Sequence, residues 1–205
     1  MYSRTDFYLV GVIGFLVGLL VLIPAGNLGL TITVPLALAS VVAFSIIAPC
    51  ALAVLKLLSR KWKVFEQFGK FAAVGTLNTL LDLGVLNGLM LATGAVGGIA
   101  FSGFKAISFL VATTNSYFWN KFWTFQSSVP VTLKEYLTFA LFTLCGALIN
   151  VGVASSIVNG IGTPDGMSDT LWANIGALIA VAASFLWNFV SYRLIVFKRR
   201  EESST

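Results

Sequence analysis

Two ionisable residues, Asp82 and Lys105, lie inside long apolar stretches of this sequence. An ionisable side chain within a bilayer is costly, so it usually faces the protein interior, pairs with an opposite charge and marks a functional site. Counted along the helices from Lys70 and Lys121, the basic residues toward the opposite ends of the same two spans, the two differ in depth by ~6 Å, which a lysine side chain can span. We therefore predict an ion pair. In the alternative, Lys105 extends alone to the outer surface and Asn78 keeps Asp82 neutral.

Asparagines accompany these two charges at helical spacing. Asn78 stands four residues before Asp82, on the same face of a helix, and Asn120 and Asn188 end two later stripes of small and polar residues. The serines and glycines of such stripes usually let membrane helices approach closely, so we expect them to pack. Asp82 and the asparagines, as polar groups inside the spans, are expected to face the bundle interior, where we predict the function to lie.

The composition excludes most enzyme classes. Of 205 residues, 58% are hydrophobic, 10% are charged and none is histidine, whereas soluble domains are about 25% charged. Without histidine the chain has neither a histidine base nor a histidine-ligated zinc. It also contains no glycine-rich phosphate loop and no paired catalytic carboxylates. We predict a membrane protein that is not an enzyme and that uses no cofactor or metal.

Six apolar segments are long enough to cross the membrane as helices, since ~20 residues span ~30 Å of hydrocarbon. Glycine-rich and proline-containing turns separate several of them. The predicted fold is an all-α integral membrane protein with six transmembrane helices, the first of which we expect to be an uncleaved helix. The predicted spans are residues 7–25, 31–58, 68–92, 99–125, 136–158 and 171–197.

The basic residues indicate the orientation of these spans. All but one of the 13 Lys and Arg residues fall on one side of the predicted topology, and the loops on the other side contain none. Because basic residues accumulate on the cytoplasmic side, we predict a multi-pass protein of the cytoplasmic (inner) membrane with both termini in the cytoplasm. The net charge of +5 is explained by this topology and by attraction to anionic membrane lipid, and no nucleic-acid partner is expected.

An internal repeat relates the last four spans at an offset of 68 residues, since residues 116–120 read SYFWN and residues 184–188 read SFLWN. The two copies, residues 68–125 and 136–197, each begin and end on the cytoplasmic side. They are therefore predicted to be helix pairs of parallel topology. The second copy has four extra residues between its asparagine and its basic residue, so we expect the two cations to lie at different depths below equivalent asparagines.

The first two spans differ in character from the other four. They carry no charge between Phe7 and Leu55, and Gly14 and Gly18 form a close-packing motif. We interpret residues 1–65 as an accessory transmembrane hairpin outside the site, and residues 66–200 as a four-helix domain.

A sequence motif opens and closes the first repeat. It begins with a basic and an aromatic residue, continues with Val-Gly, a Thr and an Asp about one turn deeper, and closes with Asn-Lys-x-Trp-Thr-Phe. These residues are Lys70, Phe71, Val74, Gly75, Thr79, Asp82, Asn120, Lys121, Trp123, Thr124 and Phe125. By this pattern the chain resembles, over about residues 66–198, the GtrA-like family of small four-span membrane proteins. The last span keeps only Arg193 and Phe197 of the closing motif and has no tryptophan there.

The resemblance implies a role in cell-surface polysaccharide synthesis. Proteins of this kind are thought to move a polyprenyl-phosphate-linked sugar across the cytoplasmic membrane, beside a glycosyltransferase that makes the lipid-linked sugar. On this interpretation the lipid phosphate meets basic residues at the inner face, the sugar bonds to amides and a carboxylate, and aromatic rings stack on the sugar. These residues are Lys70, Lys121 and Arg193 for the phosphate, Asn78, Asp82, Asn120 and Asn188 for the sugar, and Trp119, Trp123 and Tyr192 for stacking. The alternative for each aromatic residue is a place in the ordinary interfacial belt.

Two other functions remain open. A non-transporting scaffold would hold a polyprenyl-phosphate glycosyltransferase at the membrane through the basic residues 56–70, and it would tolerate changes at Asp82. A small proton-coupled transporter of another solute would depend on Asp82 alone. Because two repeats of two helices make a thin wall, the interpretation also leaves room for a homo-oligomer.

Overall fold

The chain is helical throughout the part that the structure describes, residues 2–27 and 30–198 of a computed structural model, and no strand occurs there. The all-α prediction is therefore confirmed. Six long helices follow in order: α1 (Arg4–Leu20, followed after Val21 by a short helix, Leu22–Asn27), α2 (Val34–Ser59), α3 (Val64–Thr93), α4 (Gly98–Trp119), α5 (Leu133–Ser155) and α6 (Asp169–Ser191).

Five helical segments of the described chain are long and apolar enough to cross a membrane: Arg4–Gly26, Val34–Ser59, Val64–Thr93, Leu133–Ile161 and Leu171–Val196. The remaining long helix, α4, contains Lys105 and a run of Ser, Thr and Asn residues, which lower its mean hydropathy. The protein is a multi-pass membrane protein, while the sixth span and the topology of the repeats stay predictions. Arg199 and Arg200, part of the orientation signal, lie outside the described residues.

Side-chain caps set the start of several helices. At α1, Ser3 and Asp6 cap each other: Asp6 N donates to Ser3 Oγ at 3.2 Å and Ser3 N donates to the Asp6 carboxylate at 2.8 Å. Thr132 and Ser168 cap α5 and α6 through their hydroxyl oxygens. At the other end of α3, Gly94 adopts a left-handed conformation with φ of +72°, which ends that helix.

The second helix of each repeat ends in one wide, π-helical turn, Asn120–Thr124 after α4 and Tyr192–Val196 after α6. In both turns the N–H of the following phenylalanine bonds the carbonyl five residues earlier, at 2.8 Å. Such turns are often found at functional sites of helical proteins. The two repeats therefore close in the same way.

The two cations were expected to lie at different depths below equivalent asparagines, and the π turns show a different arrangement. Lys121 and Arg193 are each the second residue of their π turn, so they occupy equivalent positions. The asparagines are the residues that differ. Asn120 begins its π turn, whereas Asn188 lies one helical turn before the π turn of the second repeat, which absorbs the four extra residues.

By internal packing the chain divides into two compact units, residues 1–126 and 127–205. The first contains α1 to α4, and the second contains α5 and α6. The proposed boundary at residue 65 between an accessory hairpin and a four-helix domain stays a prediction. The main core of the first unit is formed by Tyr2, Val10, Ile13, Val17, Leu52, Val74, Leu77 and Trp123.

The helices of the N-terminal hairpin touch backbone to backbone. A Cβ added at Gly18 would lie 2.6 Å from the Cα of Val41, and one added at Gly14 would overlap the carbonyl oxygen of Phe44. Ser40 Oγ also donates to the Gly18 carbonyl at 2.8 Å. The predicted close-packing motif is confirmed, and it ties α1 closely to α2.

Candidate functional site

The predicted pair of Asp82 and Lys105 is present between α3 and α4. Lys105 Nζ pairs with Asp82 Oδ2, and Ser108 Oγ donates to Asp82 Oδ1 at 2.6 Å. The side chain of Lys105 is 46% exposed and that of Asp82 is 22% exposed, whereas Ser108 is fully buried. Ser108 was expected only to pack, yet it is a hydrogen-bond partner of the carboxylate.

Asn78 is not the partner of Asp82, which removes the alternative of a neutral Asp82 held by that amide. Asn115 Nδ2 donates to Asn78 Oδ1 at 2.7 Å, and Asn78 Nδ2 donates to the Val74 carbonyl at 2.8 Å. The sequence interpretation overlooked Asn115. Its signal was a spacing of seven residues from Ser108, two helical turns along the same face of α4.

These contacts form two rungs of polar groups between α3 and α4, which we call the polar ladder: Asn78, Asp82, Lys105, Ser108 and Asn115. Because Asn78 and Asp82 are four residues apart on α3, the rungs are about one helical turn, ~6 Å, apart. Asn115 also lines a groove of about 420 Å³ along α4, together with Thr114 and three apolar residues. The ladder thus offers donors and acceptors between α3 and α4.

A second cluster joins Lys70 and Trp123 to Asp6 of α1. Lys70 Nζ lies 2.6 Å from Asp6 Oδ1, and Trp123 Nε1 donates to the same oxygen at 2.8 Å. All three residues are buried. We call this group the Asp6 cluster. Sequence reasoning treated the hairpin as lying outside the site, and the structure brings its first turn against two of the predicted site residues.

Tyr2 packs beside this cluster, just before α1 begins. Its hydroxyl donates to the Phe65 carbonyl, and a Cβ at Gly69 would collide with it. Burial, together with the negative charge of Asp6, raises the pKa of Tyr2 to about 12. The phenol therefore stays protonated at neutral pH, so it keeps donating to the carbonyl at the start of α3.

The π turn after α4 buries the remaining motif residues of the first unit. Lys121 is fully buried, with Nζ 5.9 Å from the centroid of the Tyr117 ring. Asn120 Nδ2 donates to the Ser116 carbonyl at 2.9 Å. Within the described part of the chain, Asn120 Oδ1 and Thr124 Oγ1 are buried without a hydrogen-bond partner. An unsatisfied buried acceptor is costly, so these two oxygens can each accept a hydrogen bond from a ligand or a water molecule.

A family model described as GtrA/DPMS, transmembrane domain, matches residues 70–197, which is more than half of the chain. The chain belongs to this family. Membership associates it with membrane processes that involve polyprenyl-phosphate sugars. Neither the curated proteins nor the solved structures include a match. The GtrA/DPMS match begins at Lys70, so it includes the polar ladder and excludes Asp6 and the whole hairpin.

The second predicted repeat has uncharged residues at the positions that correspond to Asp82 and Asn78. Asn150 stands where the first repeat has Asp82, and its Nδ2 donates to Ser184 Oγ at 3.4 Å. Gly146 stands where the first repeat has Asn78, and the amide of Asn188 fills the space a Cβ would need there. These residues of the second repeat therefore form no counterpart of the ion pair between Asp82 and Lys105.

Two of the predicted site residues belong to this second unit. Asn188 Oδ1 is buried and has no hydrogen-bond partner in the part of the chain that the structure describes. Arg193 is exposed, in contrast to the buried Lys121 at the equivalent turn position. Their predicted contacts with a sugar and a phosphate stay predictions.

Proposed function

We propose that this protein carries a polyprenyl-phosphate-linked sugar across the cytoplasmic membrane, with the sugar passing along the polar ladder. The observation that supports this most directly is the ladder itself, which offers hydrogen-bonding groups at two successive levels between α3 and α4. A sugar leaving water needs replacements for its lost hydrogen bonds, because an unpaired polar group in hydrocarbon costs several kcal/mol.

The charged rung suits transport because its two charges neutralise each other. Asp82 and Lys105 form a pair that presents donors and acceptors without net charge. A passing hydroxyl can then exchange with the bond from Ser108 and leave the ion pair in place. The proposal assigns no chemical step to the protein, and a membrane glycosyltransferase on the cytoplasmic side is its expected partner.

A reconstituted transfer assay tests the proposal. Proteoliposomes loaded with a fluorescent polyprenyl-phosphate sugar are treated with a membrane-impermeant reagent that oxidises exposed sugars. Wild-type protein should convert the protected inner pool to an accessible pool. We expect Asp82→Asn to slow this conversion at least tenfold. Asp165→Asn removes the same charge from an exposed loop residue and should not slow it.

The same assay separates the two other functions. A scaffold would give no transfer by itself and would instead raise the activity of a co-reconstituted glycosyltransferase. A proton-coupled transporter of another solute would likewise fail to move the lipid-linked sugar. An imposed pH gradient would instead drive uptake of that other solute, and Asp82→Asn would abolish this uptake. Transfer that is unchanged in Asp82→Asn would remove the ladder from the pathway.

The proposed orientation is tested by labelling single cysteines in a Cys50→Ala, Cys145→Ala background. Cysteines replacing Gly97 and Asp165 should react with an impermeant maleimide in intact cells. Cysteines replacing Lys61 and Ser127 should react only after permeabilisation, because the basic loops are expected on the cytoplasmic side. Labelling with the reverse pattern would overturn the assignment of the termini to the cytoplasm.

A further inference from the structure

The Asp6 cluster joins residues of different origin within the first unit. Lys70 and Trp123 lie inside the GtrA/DPMS match, and both direct their donors at one oxygen of Asp6, at 2.6 and 2.8 Å. Asp6 belongs to the hairpin outside that match. The family domain thus supplies two converging donors, and the hairpin supplies the anion that they bind.

An ammonium group and an indole N–H at this spacing can equally bind an oxygen of a phosphate ester. A phosphodiester that links a sugar to a polyprenol carries one negative charge, as the Asp6 carboxylate does. Exchange of one for the other keeps Lys70 neutralised in a buried site, where an unpaired charge would be strongly unfavourable. Lys70 Nζ also lies 5.5 Å from the centroid of the Trp123 ring, which favours the cation in this position.

An apolar cavity begins beside the cluster. It has a volume of about 250 Å³, lies between α1, α2 and α3, and is lined by apolar residues apart from Thr76. Val10, one helical turn after Asp6, lines it, as does Gly69, the neighbour of Lys70. A lipid chain attached to a phosphate at Lys70 would reach this cavity past Val10 and Gly69.

We propose that Asp6 is the internal ligand of a lipid-phosphate site. A polyprenyl phosphate displaces Asp6 from Lys70 and Trp123, and its first isoprene units enter the cavity between the hairpin and α3. The identity of the lipid rests on the proposed function. The hairpin then has a definite role, because it supplies both the occupant of the empty-state site and two walls of the cavity.

The displacement requires movement only in the first turn of α1. Asp6 Oδ2 already accepts the backbone N–H of Ser3 at 2.8 Å, so the displaced carboxylate keeps one hydrogen bond. Farther along, Gly14 and Gly18 hold α1 against the backbone of α2. The hairpin as a whole stays in place while the side chain of Asp6 turns away from the phosphate.

Binding to the purified full chain in detergent micelles tests this site. The probes are a polyprenyl-phosphate sugar, phosphatidylglycerol and inorganic phosphate, and the readouts are Trp fluorescence and ligand-induced thermal shift. We expect Asp6→Asn to bind the polyprenyl-phosphate sugar five- to tenfold more tightly than wild type, since the competing carboxylate is gone. Asp165→Asn, the matched charge control, should bind as wild type does. Adding Lys70→Gln to Asp6→Asn should abolish the gain.

A cavity variant keeps the test decisive if Asp6→Asn folds poorly. Ala48 lines the cavity from α2, so Ala48→Leu should weaken binding of the polyprenyl-phosphate sugar at least fivefold. If Asp6→Asn tightens the binding of inorganic phosphate as much as that of the polyprenyl-phosphate sugar, the lipid-chain part of the proposal is overturned. If it tightens the binding of phosphatidylglycerol as much, the selectivity for a polyprenyl chain is overturned. Unchanged affinity in a folded Asp6→Asn protein, or in Ala48→Leu, would overturn the site.

The outcomes also separate this site from the proposed function. If wild-type protein transfers the lipid-linked sugar but Asp6→Asn shows no gain in binding, transport stands and the internal-ligand site is overturned. If Asp6→Asn gains affinity in a Lys70-dependent manner while no variant transfers the sugar in proteoliposomes, the site stands and transport is overturned.

Discussion

The two helix pairs of this protein share one closing architecture. In each pair a phenylalanine of the first helix packs on the phenylalanine that follows the π turn. The ring centroids are 6.4 Å apart for Phe71 and Phe125, and 5.8 Å apart for Phe139 and Phe197. Aromatic pairs at such distances are favourable beyond the area they bury. This contact and the wide turn are what the two copies have in common.

Charge is what separates the two pairs. The first pair contains the Asp82 and Lys105 ion pair and a buried Lys70, whereas the second has Asn150 and Ser184 in a long neutral contact of 3.4 Å. Because the second pair forms the same closure without these charges, the charges are not what makes a pair fold. Our proposal assigns these charges to the passage of the lipid-linked sugar.

We expect the two helix pairs to differ most in the stability that is lost when the residue at the position of Lys70 is replaced. Lys70→Met removes the cation from a buried carboxylate, which should lower the free energy of unfolding by about 3–5 kcal/mol. In the second repeat the same position is Thr138, whose hydroxyl donates to the Lys134 carbonyl of its own helix at 2.8 Å. Thr138→Val should therefore change the stability by less than about 0.5 kcal/mol.

Reversible unfolding in mixed detergent and SDS micelles measures both changes. Asp6→Asn combined with Lys70→Met should recover part of the loss, because no charge is then left buried alone. Similar small losses for Lys70→Met and Thr138→Val would show that the Asp6 cluster does not distinguish the two repeats energetically.

The helices and the ion pair could be predicted from the sequence, whereas most of the side-chain contacts between helices could not. Apolar length predicted the helices, and the cost of charge in a membrane predicted that Asp82 pairs with Lys105. Asn115 was missed because it lies one position away from the stripe of small and polar residues that ends at Asn120. The contact depends on how α3 and α4 are rotated about their axes, which single-helix periodicity does not determine.

Asp6 was missed for a different physical reason. Its pattern with Ser3 is that of a helix N-cap, which accounts for an acidic residue at that position without any distant partner. The structure adds Lys70 and Trp123 as further partners. These groups meet only because α1 packs on α3 and the π turn after α4 lies against both, and this packing depends on apolar surfaces with no distinctive sequence signal.

A double-mutant cycle on the ion pair gives the next largest effect. Asp82→Asn and Lys105→Met should each destabilise, and the double variant should be less destabilised than their sum by about 1–2 kcal/mol, a value reduced by the exposure of Lys105. The parallel cycle with Asn150→Ala and Ser184→Ala should give a coupling of only about 0.6 kcal/mol, as is usual for neutral pairs in membranes. Additive losses at Asp82 and Lys105 would mean that their contact contributes no stability.

The smallest expected effect concerns Gly146, where the second repeat lacks the side chain that Asn78 provides in the first. A Cβ at Gly146 would collide with the amide of Asn188, whereas the helix propensity of alanine over glycine favours the change by about 0.5–1 kcal/mol. We expect Gly146→Ala to be slightly destabilising in wild type and stabilising by about 0.5–1 kcal/mol in an Asn188→Ala background. Gly152→Ala is the control on the same helix: among the described residues, no atom beyond the adjacent residues and the local helix backbone lies within 4 Å of the added Cβ. It should stabilise in both backgrounds. The same sign for Gly146→Ala in both backgrounds, measured by thermal melting, would mean that Asn188 moves aside without cost and that the contact places no constraint on this helix pair.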